Sequence, residues 1–220
     1  MILMLLRIVI IVTVIGGMTF PGKTVETSRA GAAESADVYI SLSAIGGFPQ
    51  NRAMTLAGRE VNKTTVSNSA GGGFKVGIFP EFTHRAFGVE LEYFGTTGKL
   101  SALIPQDGSE GKASSGLTVL NSMINLVLRH SLQGFRPYVG FGFGYSGGIL
   151  HGADFPGRPN LDVESTAAFA YQFIGGLQWS LTSNTFIFSE YKHFVANFHW
   201  KALSLEYRAN YVLVGFGWSF

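Results

Sequence analysis

Hydrophobic side chains alternate with small or polar ones in eight separate segments of this chain. A period of two is the signature of a β-strand whose two faces meet different surroundings. The apolar rows are, in order, Val38, Ile40, Leu42 and Ala44; Phe74, Val76 and Ile78; Phe87, Val89, Leu91 and Tyr93; Leu120, Ile124, Leu126 and Leu128; Val139, Phe141, Phe143 and Tyr145; Phe169, Tyr171, Phe173, Leu177 and Trp179; Ile187, Tyr191 and Val195; and Val212, Val214, Phe216, Trp218 and Phe220. The pattern predicts an all-β protein of eight antiparallel strands.

The opposite face of these strands decides between a soluble sandwich and a membrane barrel. It is poor in charge and rich in glycine, as at Gly140, Gly142 and Gly144, so it would make a poor water-facing surface. In a membrane barrel the apolar face meets lipid and the small or polar face fills a narrow lumen. Closure is required, because an open sheet edge in lipid leaves backbone groups without partners. We therefore predict an eight-stranded antiparallel transmembrane β-barrel over residues 36–220.

The gaps between the segments alternate in length, which supports this interpretation. The long gaps are 49–66, 97–113 and 151–163; the short ones are 81–85, 131–135 and 182–184; and a medium one lies near Trp200. Outer-membrane barrels combine long extracellular loops with short periplasmic turns. The spacing predicts that both ends of the barrel chain lie in the periplasm.

The N-terminal residues 1–20 hold a single charge, Arg7, in a strongly apolar run. Small residues follow, including Ala30-Gly31-Ala32, which resembles a cleavage site. The order predicts a Sec-type secretory signal peptide over residues 1–32 and places the barrel in the cell outer membrane of a Gram-negative bacterium. A retained transmembrane anchor is the alternative, because the run approaches the roughly 20 residues that span a bilayer. The chain has no cysteine, which excludes disulfides and cysteine lipidation.

Charge is sparse, and its placement points to the lumen. Charged residues make up 14% of the chain and the net charge is +2, so a nucleic-acid partner is not expected. Strand parity directs seven charged side chains inward: Lys75, Glu90, Glu92, Arg129, Arg136, Glu190 and Lys192. Because charges removed from water must be paired, we predict a salt-bridge network that plugs the lumen. A gated ion path through the same residues is the alternative. Inward glycines on the second and fifth strands are expected to make room for these long side chains.

The network is expected to include one close group of four. Glu90 and Glu92 lie on the third strand, and Lys75 and Arg129 lie on the two strands expected to flank it. We therefore predict that these four side chains contact each other.

Three segments carry a resemblance to a known family. They are Phe135-Arg136-Pro137-Tyr138-Val139-Gly140, Glu190-Tyr191-Lys192 and the ending from Tyr211 to Phe220. Residues 37–220 resemble the small outer-membrane β-barrels that include OmpA-like transmembrane domains. The resemblance implies that Tyr211, Gly215, Phe216, Trp218 and Phe220 form the signal that the barrel-assembly machinery recognises. Full-length OmpA-like proteins carry a peptidoglycan-binding domain after the barrel, and this chain is expected to lack it.

One enzymatic hypothesis rests on a second resemblance. Some outer-membrane barrels are lipid A deacylases with a His-x-Ser-Asn-like motif on a late strand and a Glu on the next. Here His193 to Asn197 and Glu206 are similar, but Val195 takes the place of the nucleophile. Without a hydroxyl or thiol beside the base, nucleophilic catalysis is not expected.

No metal or cofactor is expected either. The histidines at His84, His130, His151 and His199 are scattered and show no ligand spacing. The sequence thus predicts a non-enzymatic barrel with a structural or surface-interaction role. Outer-membrane lipid and an extracellular ligand at the loops are the expected partners. A narrow, porin-like gated pore or transporter and a lipid-modifying enzyme remain as alternatives.

Overall fold

In a computed structural model, the chain is described over residues 36–51, 54–56, 58–61, 64–106, 109–132, 134–153 and 161–220. None of these residues belongs to a helix long and apolar enough to cross a membrane. The predicted signal peptide, residues 1–32, lies outside the described residues.

The described residues form eleven β-strands. Their bounds are β1 Asp37–Pro49, β2 Met54–Leu56, β3 Arg59–Val61, β4 Thr64–Val66, β5 Ser69–Phe79, β6 Phe87–Gln106, β7 Ser109–Arg129, β8 Phe135–Ala153, β9 Leu161–Ser180, β10 Thr185–Trp200 and β11 Leu203–Ser219. Eight of them pair in the order β1-β5-β6-β7-β8-β9-β10-β11, and β11 pairs back with β1. All of these pairs are antiparallel. The predicted eight-stranded antiparallel barrel is confirmed.

The first and last long strands close the ring. Their register runs from Tyr39 opposite Ser219 to Pro49 opposite Ala209. The backbone N–H of Phe220 then donates to the carbonyl of Val38 at 2.8 Å. Continuous pairing around the ring satisfies the backbone groups that lipid could not.

The two faces of the wall differ as the alternation predicts. Outward side chains stay exposed, for example Leu42 at 69% and Phe169 at 60%, whereas the inward Met123 is 1% exposed. The outward rows form an apolar belt around the barrel. Val195, predicted to be outward and exposed, is an exception because it is only 5% exposed.

The predicted loop over 97–113 is wrong, because the strands continue through most of it. Residues Thr97 to Gln106 of β6 pair with Ser109 to Thr118 of β7 in one hairpin. Here most of the described inward side chains are apolar, such as Leu100 and Leu117, while exposed outward ones include Thr97, Lys99 and Ser114. The polarity of the two faces is thus reversed relative to the belt, which disguised the strands.

The predicted long gap 49–66 also contains pairing. Strand β2 pairs with β11 beyond the end of β1, and β4 pairs with β6 beyond the end of β5. A hairpin joins β2 to β3. Inward side chains of these short strands, Met54, Leu56, Val61 and Val66, are buried in the same apolar cluster as Leu100. They therefore extend the wall and its interior beyond the belt.

The lumen face is bulkier than the predicted small or polar lining. Strand β10 points Phe186, Phe188, Phe194, Phe198 and Trp200 inward, and all five are buried. A repeated cross-strand pairing makes room for inward rings, each standing directly opposite a glycine: Tyr39 and Gly77, Phe94 and Gly73, Tyr138 and Gly176, Phe186 and Gly217, and Phe188 and Gly215.

A side chain at these glycines would collide with its neighbour. A Cβ at Gly77 would meet the Tyr39 ring, and a Cβ at Gly142 would meet the amides of Asn125 and Gln172. The expectation that inward glycines accommodate Lys, Arg and Glu is therefore wrong at these two positions, where rings and amides occupy the space.

Candidate functional site

A central polar layer crosses the lumen. We give this name to Lys75, Glu90, Glu92, Glu190 and Lys192 with the amides of Asn125 and Gln172. Lys75 Nζ lies 2.5 Å from Glu190 Oε2, 3.6 Å from Glu90 Oε2 and 3.8 Å from Glu92 Oε1. Lys192 Nζ pairs with Glu92 and lies 3.2 Å from Glu190 Oε1. Five of the seven charged residues predicted for the lumen therefore meet in one buried cluster.

Neutral donors complete the carboxylate contacts. Asn125 Nδ2 and Gln172 Nε2 each donate to Glu92 Oε2 at 3.0 Å, and Gln172 also donates to Asn125 Oδ1 at 2.7 Å. The Tyr138 hydroxyl donates to Glu190 at 2.7 Å. The Tyr39 hydroxyl donates to Glu90.

These donors offset an excess of negative charge. The layer holds three carboxylates and two ammonium groups, all nearly without solvent exposure. Removing charges from water is costly unless ion pairs and hydrogen bonds replace the lost hydration. The two phenols and two amides donate to the three carboxylates and so supply part of that replacement.

Arg129 and Arg136 lie elsewhere, in a second group that we term the turn-end cluster with Asp37. Arg129 Nη2 is 2.5 Å from Asp37 Oδ2, and Arg136 Nη1 is 3.7 Å from the same atom. Arg129 also donates through Nε to the Arg85 carbonyl at 2.9 Å and stacks 3.6 Å above the Phe79 ring. The expectation that Arg129 contacts Glu90 and Glu92 is therefore wrong.

Asp37 is a charged lumen residue that the sequence interpretation missed. It is the first residue of β1 and precedes the alternation that starts at Val38. With Asp37, the two clusters together hold four acidic and four basic side chains. The parity rule extended by one residue would have identified it.

Apolar side chains lie on both sides of the central polar layer. Toward the short turns, Tyr39, Phe79, Val127, Phe186 and Phe188 form one buried cluster. Toward the long loops, a larger buried cluster begins with a ring group. Phe94, Phe194 and Tyr211 form edge-on contacts with centroid distances of 5.4 to 6.0 Å.

Rings from both clusters cover the ammonium groups. Lys75 Nζ lies 5.4 Å from the Phe188 centroid, and Lys192 Nζ lies 4.7 Å from the Phe94 centroid. A cavity beside the layer measures about 20 Å³, which is space for roughly one water molecule. The charged groups thus occupy a narrow slab with apolar packing on either side.

The residues of the predicted assembly signal divide between the two faces of β11. Phe216, Trp218 and Phe220 point outward in the apolar belt and are exposed. Gly215 faces the Phe188 ring, and Tyr211 is fully buried among the inward rings. Tyr211 therefore packs the lumen in the folded barrel.

Two of the residues similar to a deacylase motif, His193 and Glu206, contact polar neighbours on β11. His193 Nδ1 lies 2.9 Å from Asn210 Oδ1, and Glu206 accepts a hydrogen bond from Arg208. Asn197 is the residue opposite Glu206, and Val195 is buried. Neither side chain of the His193–Asn210 pair supplies a hydroxyl or thiol nucleophile.

Solved structures that are similar to this chain include outer-membrane proteins. Neisserial surface protein A matches with a TM-score of 0.52 and 9% identity, over 83% of this chain and 97% of that one. The outer membrane protein OprG from Pseudomonas aeruginosa matches with a TM-score of 0.59 and 15% identity, over 84% and 96%. The outer membrane protease OmpT from Escherichia coli matches with a TM-score of 0.47 and 11% identity, over 88% and 99%.

No family model and no curated protein sequence matches the chain. The chain has the fold of the small outer-membrane β-barrels, of which OmpA-like domains are an example. A shared fold does not by itself assign an activity.

Proposed function

We propose that this chain, which has the fold of the small outer-membrane β-barrels, is a non-enzymatic outer-membrane protein with a lumen plugged by its own side chains. It acts through its structure and through the surface that it presents outside the membrane. The observation that carries the proposal is the central polar layer, whose charges pair with one another between two apolar clusters.

This arrangement favours a plug over a gated pore. An eight-stranded barrel is just wide enough for its own side chains. An ion crossing the lumen would have to displace the Lys75–Glu190 pair and then pass the buried rings around Phe194 and Tyr211. Both steps would remove the ion from water in a region of low dielectric constant.

The length of the strands supports a role at the surface. A tilted strand needs about 9–11 residues to span a bilayer. Strands β6 and β7 have 20 and 21 residues, and the described outward side chains beyond the belt include Thr97, Lys99 and Ser114. With the short turns in the periplasm, this hairpin projects outside the cell, where it is available to a partner.

Lipid hydrolysis has less support. The side chain in the position of a nucleophile is the buried Val195, and His193 is engaged with Asn210. We therefore assign these residues a non-catalytic role.

Single-cysteine labelling tests the location and orientation, because the chain has no native cysteine. Ser114→Cys, on the exposed β7 hairpin, should react with a membrane-impermeant maleimide on intact cells. Ser183→Cys, in the exposed short turn, should react only after the outer membrane is opened. Labelling of Ser183→Cys on intact cells would reverse the orientation, and labelling of both variants only after lysis would contradict exposure at the cell surface.

A further inference from the structure

A strip of polar side chains begins at the upper edge of the apolar belt on two neighbouring strands. We define the lateral polar strip as His193, Asn197 and His199 on β10 with Glu206, Arg208 and Asn210 on β11. All six occupy outward positions and are half-buried or exposed. The next outward residues on the same strands toward the short turns are Tyr191 and Val212, which are 50% and 47% exposed.

Aromatic side chains flank the strip. On β9, Phe173 stands opposite His193 and Tyr171 opposite Val195. On β1, Phe48 stands opposite Asn210. These three outward rings are between 37% and 54% exposed. The belt is thus aromatic on both sides of the strip, at the same register positions where β10 and β11 are polar.

The strip is ordered by its own contacts. His193 Nδ1 lies 2.9 Å from Asn210 Oδ1, and Arg208 Nε donates to Glu206 Oε1 at 2.5 Å. Arg208 stands directly opposite Val195, so its stem is placed to cover that side chain. The surface therefore offers preorganised planar polar groups with one carboxylate balanced by one guanidinium.

The position of the strip along the barrel axis indicates which class of partner it meets. At a rise of roughly 3.3 Å per residue and a tilt of about 40°, His193 lies about 20 Å from the Thr185 end of β10. Glu206 lies about 33 Å from the Ser219 end of β11 by the same rule. Since an apolar belt is about 25 Å tall, the strip begins near its upper edge and rises beyond it. Its lateral neighbour is therefore the headgroup layer of the outer leaflet.

We propose that the lateral polar strip binds the sugar headgroup of an outer-leaflet glycolipid. The inference rests on the proposed outer-membrane location and orientation. A sugar has a rim of hydroxyls that both donate and accept, which matches the imidazoles, amides, guanidinium and carboxylate of the strip. Its C–H faces suit the flanking rings of Tyr171, Phe173 and Phe48, since aromatic side chains combine an apolar face with a wet edge. The balanced charge of the strip favours hydroxyls over a bare phosphate.

Thermal unfolding in vesicles tests the proposal. The full chain is reconstituted in phosphatidylcholine vesicles with and without lipopolysaccharide, and the midpoint is read from the loss of the heat-modifiable folded band. Glycolipid should raise the wild-type midpoint by about 4 °C or more, because binding to the folded state alone stabilises it. The Glu206→Leu/Arg208→Leu and Asn197→Leu variants should lose at least half of that rise.

The matched control is Thr97→Leu/Thr118→Leu, an outward polar pair on β6 and β7. It should keep the wild-type rise. An equal rise in the strip variants, or no rise in the wild type, would overturn the proposal. Cross-linking of two copies through the strip in vesicles without glycolipid would also overturn it, because the strip would then be an interface between copies of this chain. A chain that fails to insert into phosphatidylcholine alone would instead contradict the proposed function.

Discussion

Lys75 and Glu190 form a 2.5 Å ion pair across the lumen, although β1 and β11 lie between their strands in the ring. The pair of Lys192 with Glu92 joins β10 to β6, which lie four strands apart on opposite sides of the ring. Because β1 and β11 close the ring, the Lys75–Glu190 pair joins the two ends of the sheet across the closing seam. The central polar layer therefore links the strands on either side of the closing seam.

Removing one member of this layer should destabilise the barrel strongly. We expect Lys192→Met, which leaves Glu92 and Glu190 without one cation, to lower the free energy of unfolding by about 3–5 kcal/mol. Lys192→Met/Glu92→Gln should recover part of that loss, because no isolated charge is left at position 92. Urea unfolding of the folded barrel in lipid measures both effects.

The control for that series is Lys99→Met, at an exposed outward position on β6. Its free energy of unfolding should change by less than about 0.5 kcal/mol. Equal losses in Lys192→Met and Lys99→Met would show that the buried pairing contributes nothing.

Arg129 should couple to Asp37 and not to the central polar layer. A double-mutant cycle of Arg129→Met with Asp37→Asn should give an interaction energy of about 1 kcal/mol or more, because the two side chains contact each other. The cycle of Arg129→Met with Glu92→Gln should be additive within about 0.5 kcal/mol. A larger coupling to Glu92 would restore the single network that the sequence had indicated.

The belt was predictable from the sequence because lipid and lumen impose opposite chemistry on alternate residues. Phe141 and Phe143 alternate with Gly140 and Gly142, so in a membrane barrel the aromatic row faces the lipid and the glycine row faces the lumen. Beyond the belt the outer face of the barrel meets water instead of lipid. The same strands there place Leu100 inward and Lys99 outward. A criterion that requires outward apolar residues, as in the belt, therefore assigns this segment to a loop.

The ring-filled lumen was harder to predict because β10 is bulky on both faces. Phe186 and Phe188 alternate with Ile187 along the chain, so periodicity alone does not say which row is inward. The signal lies in the neighbouring strand, where Gly217 and Gly215 stand opposite the two phenylalanines. Finding this signal requires the register between β10 and β11, which cannot be obtained from the sequence of either strand alone. Asp37 was missed for a simpler reason, since it precedes the first alternating residue.

The pairing of inward rings with glycines can be tested at Gly215. A Cβ there would meet the Phe188 ring and the Leu42 carbonyl, so we expect Gly215→Ala to cost about 1–3 kcal/mol in unfolding free energy. Gly175→Ala is the matched control, because a Cβ at Gly175 meets nothing within 4 Å. Urea titration of both variants should separate them, and equal stability would refute the packing role of the glycine.

Planar-bilayer recording of the purified barrel tests the plugged lumen most directly. The wild type should insert without a steady conductance, because in our proposal the central polar layer and the buried rings on both sides of it close the lumen. Insertion is verified on the same preparation by the heat-modifiable band. Steady ohmic current from the inserted wild type, abolished or altered by Lys192→Met, would contradict the account and make the same residues the lining of a pore.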